Sequence, residues 1–469
     1  MTVAAAGDIS RGMPIEKDHR RLLLAVCTAL FFMPFMLAGV NAALPPLGES
    51  LHASARQLGL VGAFYSLGLA VFQLASGSLG DICGRRRVWL WGVGVFALAG
   101  ALLGFVESTP LFLGLRFVQG VGGAMFNASG LALLASAAPP EKRAVYLGIS
   151  GAAVYAGIAC GPPVAGVIAG WLGWRWLFWG NALASAGAFL LMKYCVRLEW
   201  RTARGQPFDW PGCAVYGCAM AALTFGASEL ARNPTLAWSL LGAFALLLAV
   251  FCLLELKSPY PLLDLRLLAR NRVFALSSLA AFVNYSSFFG MLFFFSLYLQ
   301  VGRGMSVREA GFFLALQSVM QALTTPLAAR LCTNWNPGYV CAVGVALCGL
   351  GLTAAGFLQL DSHLGLMLGA QCLLGVGMSL FALPNTTIIL ESAGPDHVGQ
   401  ASGLTGAVRT GGQLCNMVII TLTLSLFLGQ EAVSAANIDG FMRSMRVDLL
   451  IFGLFNLLAV GFVLARNRR

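Results

Sequence analysis

Charge is what this chain has least of. Only 10% of its 469 residues are Asp, Glu, Lys or Arg, against 58% hydrophobic, and the mean hydropathy is +0.79. That excludes an ordinary water-soluble globule. Histidine is scarcer still: His19, His52, His363 and His397 are the four, all outside the apolar runs, so a membrane-buried histidine relay or metal site is excluded. The twelve cysteines include no CxxC pair and lie in apolar runs or basic connections, which argues against a metal site and a disulfide framework. No GxxxxGK[ST] segment occurs, so nucleotide hydrolysis has no motif to rest on. No nucleophile–base pair can be assembled from deep His, Asp or Glu, which removes the enzyme reading. No basic soluble domain exists to hold a nucleic acid, and no cofactor is expected beyond a proton gradient.

Apolar runs fill the space that charge leaves. Fourteen of them recur from 22–43 to 446–465, most 20 to 30 residues long. Each can cross a hydrocarbon core of ~30 Å as a helix, and each is too long for a barrel strand. The expected fold is all-α and polytopic, with 14 transmembrane helices in the lipid bilayer. Arg20 and Arg21 precede the first run as in a signal peptide, but that run is long and thirteen follow it, so it reads as the first span. With both termini placed in the cytoplasm, the thirty basic residues favour that side by about three to one, a positive-inside bias. The basic set there includes Arg11, Arg85–Arg87, Lys142, Arg143 and the tail Arg466–Arg469. A plasma membrane is expected, the bacterial inner membrane in particular, and a monomer.

The chain also repeats itself. At an offset of 255 residues, Gly114, Gly120, Gly122 and Phe126 fall on Gly369, Gly375, Gly377 and Phe381, and Gly148, Gly151, Gly157 and Cys160 fall on Gly403, Gly406, Gly412 and Cys415. The expected organisation is a tail at 1–21, a six-helix bundle at 22–196, a linker with two extra spans at 197–271, a second, pseudo-symmetric six-helix bundle at 272–465 and a tail at 466–469. Two related halves around a midplane site is the build of an alternating-access carrier.

Three motifs concentrate chemistry. The stretch Gly77–Gly92 joins spans 2 and 3 as a short loop: Gly77 and Gly80 allow close helix approach, Gly84 a tight turn, and Asp81 can accept from Arg85, Arg86 and Arg87 or from a neighbouring helix N-terminus. In span 4, Arg116 costs at least ~2.5 kcal/mol to bury and should face the bundle interior, with Gln119 beside it. In span 5, Gly157, Gly161 and Ala165 are four apart and form one smooth stripe, flanked by Gly148 and Gly166, while Pro162 should loosen the helix.

Together these motifs resemble the major facilitator superfamily. Gly77-x-Leu79-x-Asp81-x-x-Gly84-Arg85-Arg86-Arg87 is similar to its signature loop, Arg116-x-x-Gln119-Gly120-x-Gly122 to its span-4 motif, and Gly148 through Gly157, Gly161-Pro162 and Ala165-Gly166 to its antiporter motif, with Ala165 for a usual glycine. Trp174–Phe178 and Ala42–Pro45 resemble the fourteen-span drug:proton antiporter branch. The departures are Met36 and Ala38, where that branch carries an acid and a threonine, and the eroded second loop Leu327–Gly338, with Thr333 and Asn334 where an acid is usual.

The resemblance implies a cavity lined by spans 1, 2, 4, 5, 9, 10, 12 and 13. Polar candidates there are Asn41, Tyr65, Gln73, Asn127, Tyr155, Asn284, Tyr285, Gln317, Gln321, Gln371, Asn385 and Gln413. Of Phe288, Phe289, Phe293, Phe294 and Phe295 in span 9, most are expected to meet lipid. Asp81, Glu229, Glu255 and Glu309 sit at span ends and the other acids in connections or tails, so no deep carboxylate is expected; the deep charges are Arg116 and Arg409. The chain therefore reads as a secondary carrier exporting small amphipathic molecules, neutral or anionic, coupled to proton entry. An uptake symporter or uniporter for a small organic anion, or a transporter-like sensor, is the alternative. Asp81 is expected to meet the start of span 13 near Gln400 when the cytoplasmic side is closed.

Overall fold

Proline and small polar residues punctuate the apolar sequence, and the helices begin where they fall. The computed structural model describes residues 14–466 apart from 54, 198, 231, 289 and 430–432. Arg11, Phe289 and the end of the C-terminal tail, 467–469, lie outside the described residues. The described residues form helices and no strands: α1 (Pro14–Ala42), α2 (Leu44–Leu51), α3 (Ala55–Cys83), α4 (Arg85–Leu103), α5 (Thr109–Ala137), α6 (Pro140–Trp171), α7 (Arg175–Cys195), α8 (Trp210–Glu229), α9 (Pro234–Lys257), α10 (Leu265–Arg270), α11 (Arg272–Phe288), α12 (Gly290–Leu297), a π-helical turn (Tyr298–Gly302), α13 (Val307–Asn334), α14 (Pro337–Gly356), α15 (Leu364–Ser392), α16 (Val398–Leu428) and α17 (Ile438–Arg466). Short 3-10 turns precede α16 and α17.

The starts are built from side chains that satisfy the first free amides. Asp209 accepts from Gly212 N, Asn233 from Leu236 N and Asn336 from Gly338 N, each ahead of a proline at the first turn. Ser306 and Glu309 form a reciprocal capping box on α13. Among the described residues, twelve helices are long and apolar enough to cross a membrane, with α11, α12 and the π turn counted as one span. Helices α7 and α8, of 21 and 20 residues, are long enough but less apolar.

One end of the bundle gathers the start of α1, the ends of α3 and α5, the starts of α4, α6, α11 and α16, and the ends of α15 and α17. Arg85–Arg87, Arg143 and Arg466 lie there, and we call it the basic face. One hydrophobic core is built on α1–α9 and takes in parts of α13, α15 and α16; a second is built on α11–α17.

Hydrocarbon gives helices no hydrophobic reason to associate, so close backbone packing has to hold the bundle together. The repeated glycines are where it occurs. A Cβ on Gly120 would lie 2.2 Å from Tyr65 O of α3, and one on Gly375 2.8 Å from Gln317 O of α13. A Cβ on Gly122 would lie 2.7 Å from Gly92 O of α4, and one on Gly377 2.7 Å from Gly344 O of α14. A Cβ on Gly157 would lie 2.2 Å from Phe31 O of α1, and one on Gly412 3.1 Å from Phe282 O of α11. Gly148 and Gly151 pack on Ala329 and Thr325 of α13, and Gly403 and Gly406 on Gln73 and its neighbours in α3. The α8–α9 hairpin packs beside α3 and α16.

Several expectations are corrected. The loop expected at Gly77–Gly92 is helical on both sides of Gly84, which alone breaks the chain, at φ 110°. Gly157, Gly161 and Ala165 do form one stripe against α1, but Gly166 touches nothing, and α6 stays helical through Pro162 and Pro163. Phe288, Phe294 and Phe295 are buried and, of the described ones, Phe293 is exposed, because that stretch packs into the second core, with the Phe294 ring 5.9 Å from the Phe441 ring of α17. Arg466 is not in a tail; it ends α17, buried, and donates to Ser277 Oγ and Asn385 Oδ1. The last span begins at Ile438, eight residues before the apolar run that announced it, because Asp439, Arg443 and Arg446 mask its start. Asp448 thereby becomes a fully buried acid roughly three turns inside a spanning helix.

Gly157→Val should destabilise the fold by about 1–3 kcal/mol through the clash with Phe31 O. Gly166→Val, in open space, should leave it unchanged. Thermal melting of the purified variants checks this; equal melting of the two would contradict it.

Candidate functional site

Two sites emerge, a lock at the basic face and a cavity near the middle. The lock starts from the short connection between α3 and α4. Because only Gly84 separates them, Asp81 on the last turn of α3 lies four residues from Arg85 on the first turn of α4. Arg85 Nε and Nη2 both donate to Asp81 Oδ1, at 2.9 and 2.7 Å, with both side chains buried. Arg85 also donates to Ser136 Oγ of α5. The other oxygen, Oδ2, accepts from Gln400 N at 3.3 Å in the first turn of α16, where free amides and the helix dipole favour a negative charge. The fit is tight: a Cβ on Gly399 would lie 2.3 Å from Asp81 Oδ2, and one on Gly77 2.2 Å from Gly399 O.

The three arginines divide the work. Arg86 Nη2 donates to Met192 O and Lys193 O at the end of α7, and its amide donates to Glu199 Oε1. Arg87 is exposed. Two connections close over the lock. Arg85 N donates to Trp200 O, while Thr202 N and Ala203 N donate to Asp81 O. From the other side, Gln400 Nε2 donates to Pro261 O and Asp264 N donates to Gln400 Oε1. Ser402 Oγ donates to Ala128 O, tying α16 to α5 as well.

The cavity is about 80 Å³ and is lined by Leu30, Asn127, Ser150, Tyr155, Tyr285, Thr325, Ser379, Thr386, Thr405 and Arg409, with apolar neighbours. A water occupies ~30 Å³ and organic ligands need hundreds, so a substrate fits only after the helices move apart. The walls come from α1, α5 and α6 on one side and α11, α13, α15 and α16 on the other. Among the described residues, Arg409 is its only charged lining residue. Tyr155 and Tyr285 share the lining with it.

Of the residues singled out from sequence, Asn127, Tyr155, Tyr285 and Arg409 come together there. The others do not line it. Asn41 is exposed at the end of α1. Gln73 lies under Gly406 at the α3–α16 contact. Asn284 donates to Asn456 Oδ1, and Asn385 is held by Arg466 and Ser277. Gln317, Gln321 and Gln371 are buried between helices, and Gln413 is half-buried on α16. Arg116 is fully buried but also outside the cavity: it donates to Gln119 Oε1 at 2.6 Å and Val61 O at 3.4 Å, with its guanidinium 4.5 Å from the centre of the Tyr65 ring. Tyr65 in turn donates to Met33 O.

Sequence reading missed the small hydroxyls Ser150, Thr325, Ser379, Thr386 and Thr405. The repeat could have found two of them, since Ser150 and Thr405 are 255 residues apart. It also missed Asp448, whose cost in hydrocarbon is at least ~2.5 kcal/mol when charged. Asp448 lies outside the cavity lining, so the cavity itself holds no carboxylate.

A spanning helical bundle whose central cavity is shared between the early and late helices, locked at one face, defines a membrane carrier. The chain belongs to the Major Facilitator Superfamily, whose family model matches residues 24–415. It is an integral membrane transporter and not an enzyme. It is 30% identical to the multidrug resistance protein Stp of Mycobacterium tuberculosis, over 92% of this chain and 82% of that one. It is also 30% identical to the tetracenomycin C resistance and export protein of Streptomyces glaucescens, over 86% and 76%. The riboflavin transporter RibZ of Clostridioides difficile is 23% identical, over 83% and 84%. Among solved structures, the human organic anion transporter MFSD10 (TETRAN) shares the fold at a TM-score of 0.68 and 16% identity, covering 96% of this chain and 100% of that one.

Gly399→Val should wedge Asp81 away from α16 and hold the basic face open. Alkylation of Cys83 by a soluble maleimide, read by mass spectrometry, should rise about fivefold or more, as for a local opening. Unchanged labelling would contradict the lock.

Proposed function

We propose that this transporter exports small amphipathic organic molecules, neutral or anionic, by alternating access, coupled to proton entry. The observation that carries the substrate class is the cavity: among the described residues Arg409 is its only charge, set among Asn127, Tyr155, Tyr285, aliphatic side chains and the hydroxyls of Ser150, Thr325, Ser379, Thr386 and Thr405. Such a site attracts an anionic or hydrogen-bonding head and an apolar body, and it offers a lipophilic cation no counter-charge. Relatives named for drug resistance and export support the outward direction. Uptake of a small organic anion by a symporter or uniporter is the second reading, kept because one relative is named simply as a transporter, of riboflavin, and not as an exporter.

On this reading the chain crosses fourteen times. Helices α1 and α3–α7 form one six-helix bundle and α11–α17 the other, with α8 and α9 as an inserted pair, and the basic face is cytoplasmic. The matched glycine contacts support two related halves: positions 255 residues apart meet the corresponding partner helix in each. The contacts made by Gly77, Gly148, Gly399 and Gly403 lie toward the basic face, which supports a conformation closed on that side. Asp81 and Arg85 then serve as the latch of that state, and Arg116 with Gln119 acts on transport through Tyr65 and the α3–α5 packing. A monomer in a bacterial inner membrane suffices, since both walls of the cavity come from one chain.

The test is a panel in proteoliposomes with an imposed pH gradient: tetraphenylphosphonium as cation, anilinonaphthalene sulfonate as anion and an uncharged aromatic amide. Transport of the anion or the amide is expected, and Arg409→Gln should cut anion transport about tenfold, the effect of losing a charge-assisted hydrogen bond. Robust cation efflux with the other two ignored would sink the proposal.

A further inference from the structure

The proton that this reading calls for has no carboxylate among the described cavity residues, yet α17 buries one well inside its length, where Asp81 and Glu255 lie near helix ends. Asp448 on α17 is 0% exposed. Its Oδ2 is in hydrogen-bond contact with Thr423 Oγ1 of α16, and its Oδ1 has no partner among the described residues. Ser444, one turn earlier on α17, donates to Thr423 Oγ1 at 3.3 Å. Among the described residues no ion pair reaches Asp448. The charged side chains nearest in sequence, Arg443 and Arg446, are exposed. On the elements packed against α17, Tyr298 of the π turn donates to Gln359 O, Cys348 and Cys341 of α14 lie against Leu374 O and Phe381 O, Tyr285 of α11 and Arg409 of α16 line the cavity, and Cys415 and Arg409 lie roughly two and four turns from Thr423 along α16.

We propose that Asp448 is the proton-binding carboxylate through which transport is coupled to proton movement. The geometry supplies two states. Thr423 has one hydroxyl proton and three acceptors within reach: Ile419 O at 3.2 Å, Ile420 O at 3.0 Å and Asp448 Oδ2. When Asp448 carries a proton, its hydroxyl donates to Thr423 Oγ1, and Thr423 keeps its own proton on the α16 backbone. When Asp448 loses that proton to water, Thr423 must turn its hydroxyl from the backbone to the carboxylate, because nothing else there can stabilise the charge. Gain and loss of one proton thus change how α17 is fastened to α16, the helix that carries Arg409 in the cavity and Gln400 at the Asp81 lock. The neighbouring α11 links the same two helices, through Asn284 to Asn456 and through Ser286 O accepting from Asn416.

This inference rests on the proton-coupled reading above, and its test separates the two. The full-length wild type, Asp448→Asn and Thr423→Val are compared in lipid. Infrared titration reads proton binding without any substrate. The wild type should show a carboxylic-acid carbonyl band that vanishes on raising pH and is missing from Asp448→Asn, and Thr423→Val should shift its midpoint upward. No such band, or its persistence in Asp448→Asn, overturns the inference whatever the protein transports. In proteoliposomes, Asp448→Asn should reduce gradient-driven movement of anilinonaphthalene sulfonate about tenfold while its counterflow stays within about twofold. Loss of both activities, as a merely structural role would give, overturns the inference. So does retention of gradient drive. A wild type that carries the anion regardless of the gradient contradicts the coupled reading itself and removes the role assigned to Asp448.

Discussion

A single carboxylate, Asp81, joins helices that are far apart in the chain. Arg85 holds one oxygen, the first turn of α16 meets the other, and the backbone carbonyl of the same residue receives two amides from the connection after α7. Buried salt bridges are poor sources of stability because each charge must be stripped of water. Here the arrangement supplies position instead. The helix dipole of α16 offsets part of the desolvation only while α16 is in place, so the interaction is strong in one conformation and lost in another. Glycine makes that possible: with side chains at Gly77 and Gly399 the two helices could not come near enough for the carboxylate to reach the amide.

The same economy governs the rest of the molecule. Buried polar groups sit where helices from distant parts of the sequence meet: Arg466 with Asn385 and Ser277, Asn284 with Asn456, Ser402 with Ala128 O. The connections flanking the α8–α9 hairpin also take part. Residues 199–203 lie on the α3–α4 turn, and Pro261 and Asp264 grip Gln400. The α8–α9 hairpin is therefore tied at one end to the α3–α4 turn and at the other to the start of α16, the two sides of the lock, and it constrains the lock.

Much of this was legible in the sequence because membranes allow few solutions. Runs of 20 to 30 apolar residues can only be helices, and an acid beside three arginines at a glycine turn can only be a polar face. The repeat at 255 residues was readable because close backbone contact permits glycine and little else, as at Gly120 and Gly375. The unreadable parts have equally physical causes. Asp448 was hidden because hydropathy finds apolar cores and not helix ends, and three charges precede it on α17. Gln73, Gln371 and Asn385 looked like cavity residues because spacing along a helix does not reveal which neighbour covers a face. Ser150 and Thr405 were overlooked because a small hydroxyl on a helix usually bonds its own backbone.

The central claim is that Asp81 fastens the start of α16 and so closes the basic face. Hydrogen–deuterium exchange on the wild type and Asp81→Asn in lipid nanodiscs tests it most directly. The account predicts slow exchange at Val398–Gly403 and at 199–203 in the wild type. Both should quicken together in Asp81→Asn, while the α4–α5 contact at Gly92 and Gly122 stays protected. Unaltered exchange at the start of α16 in Asp81→Asn would contradict it.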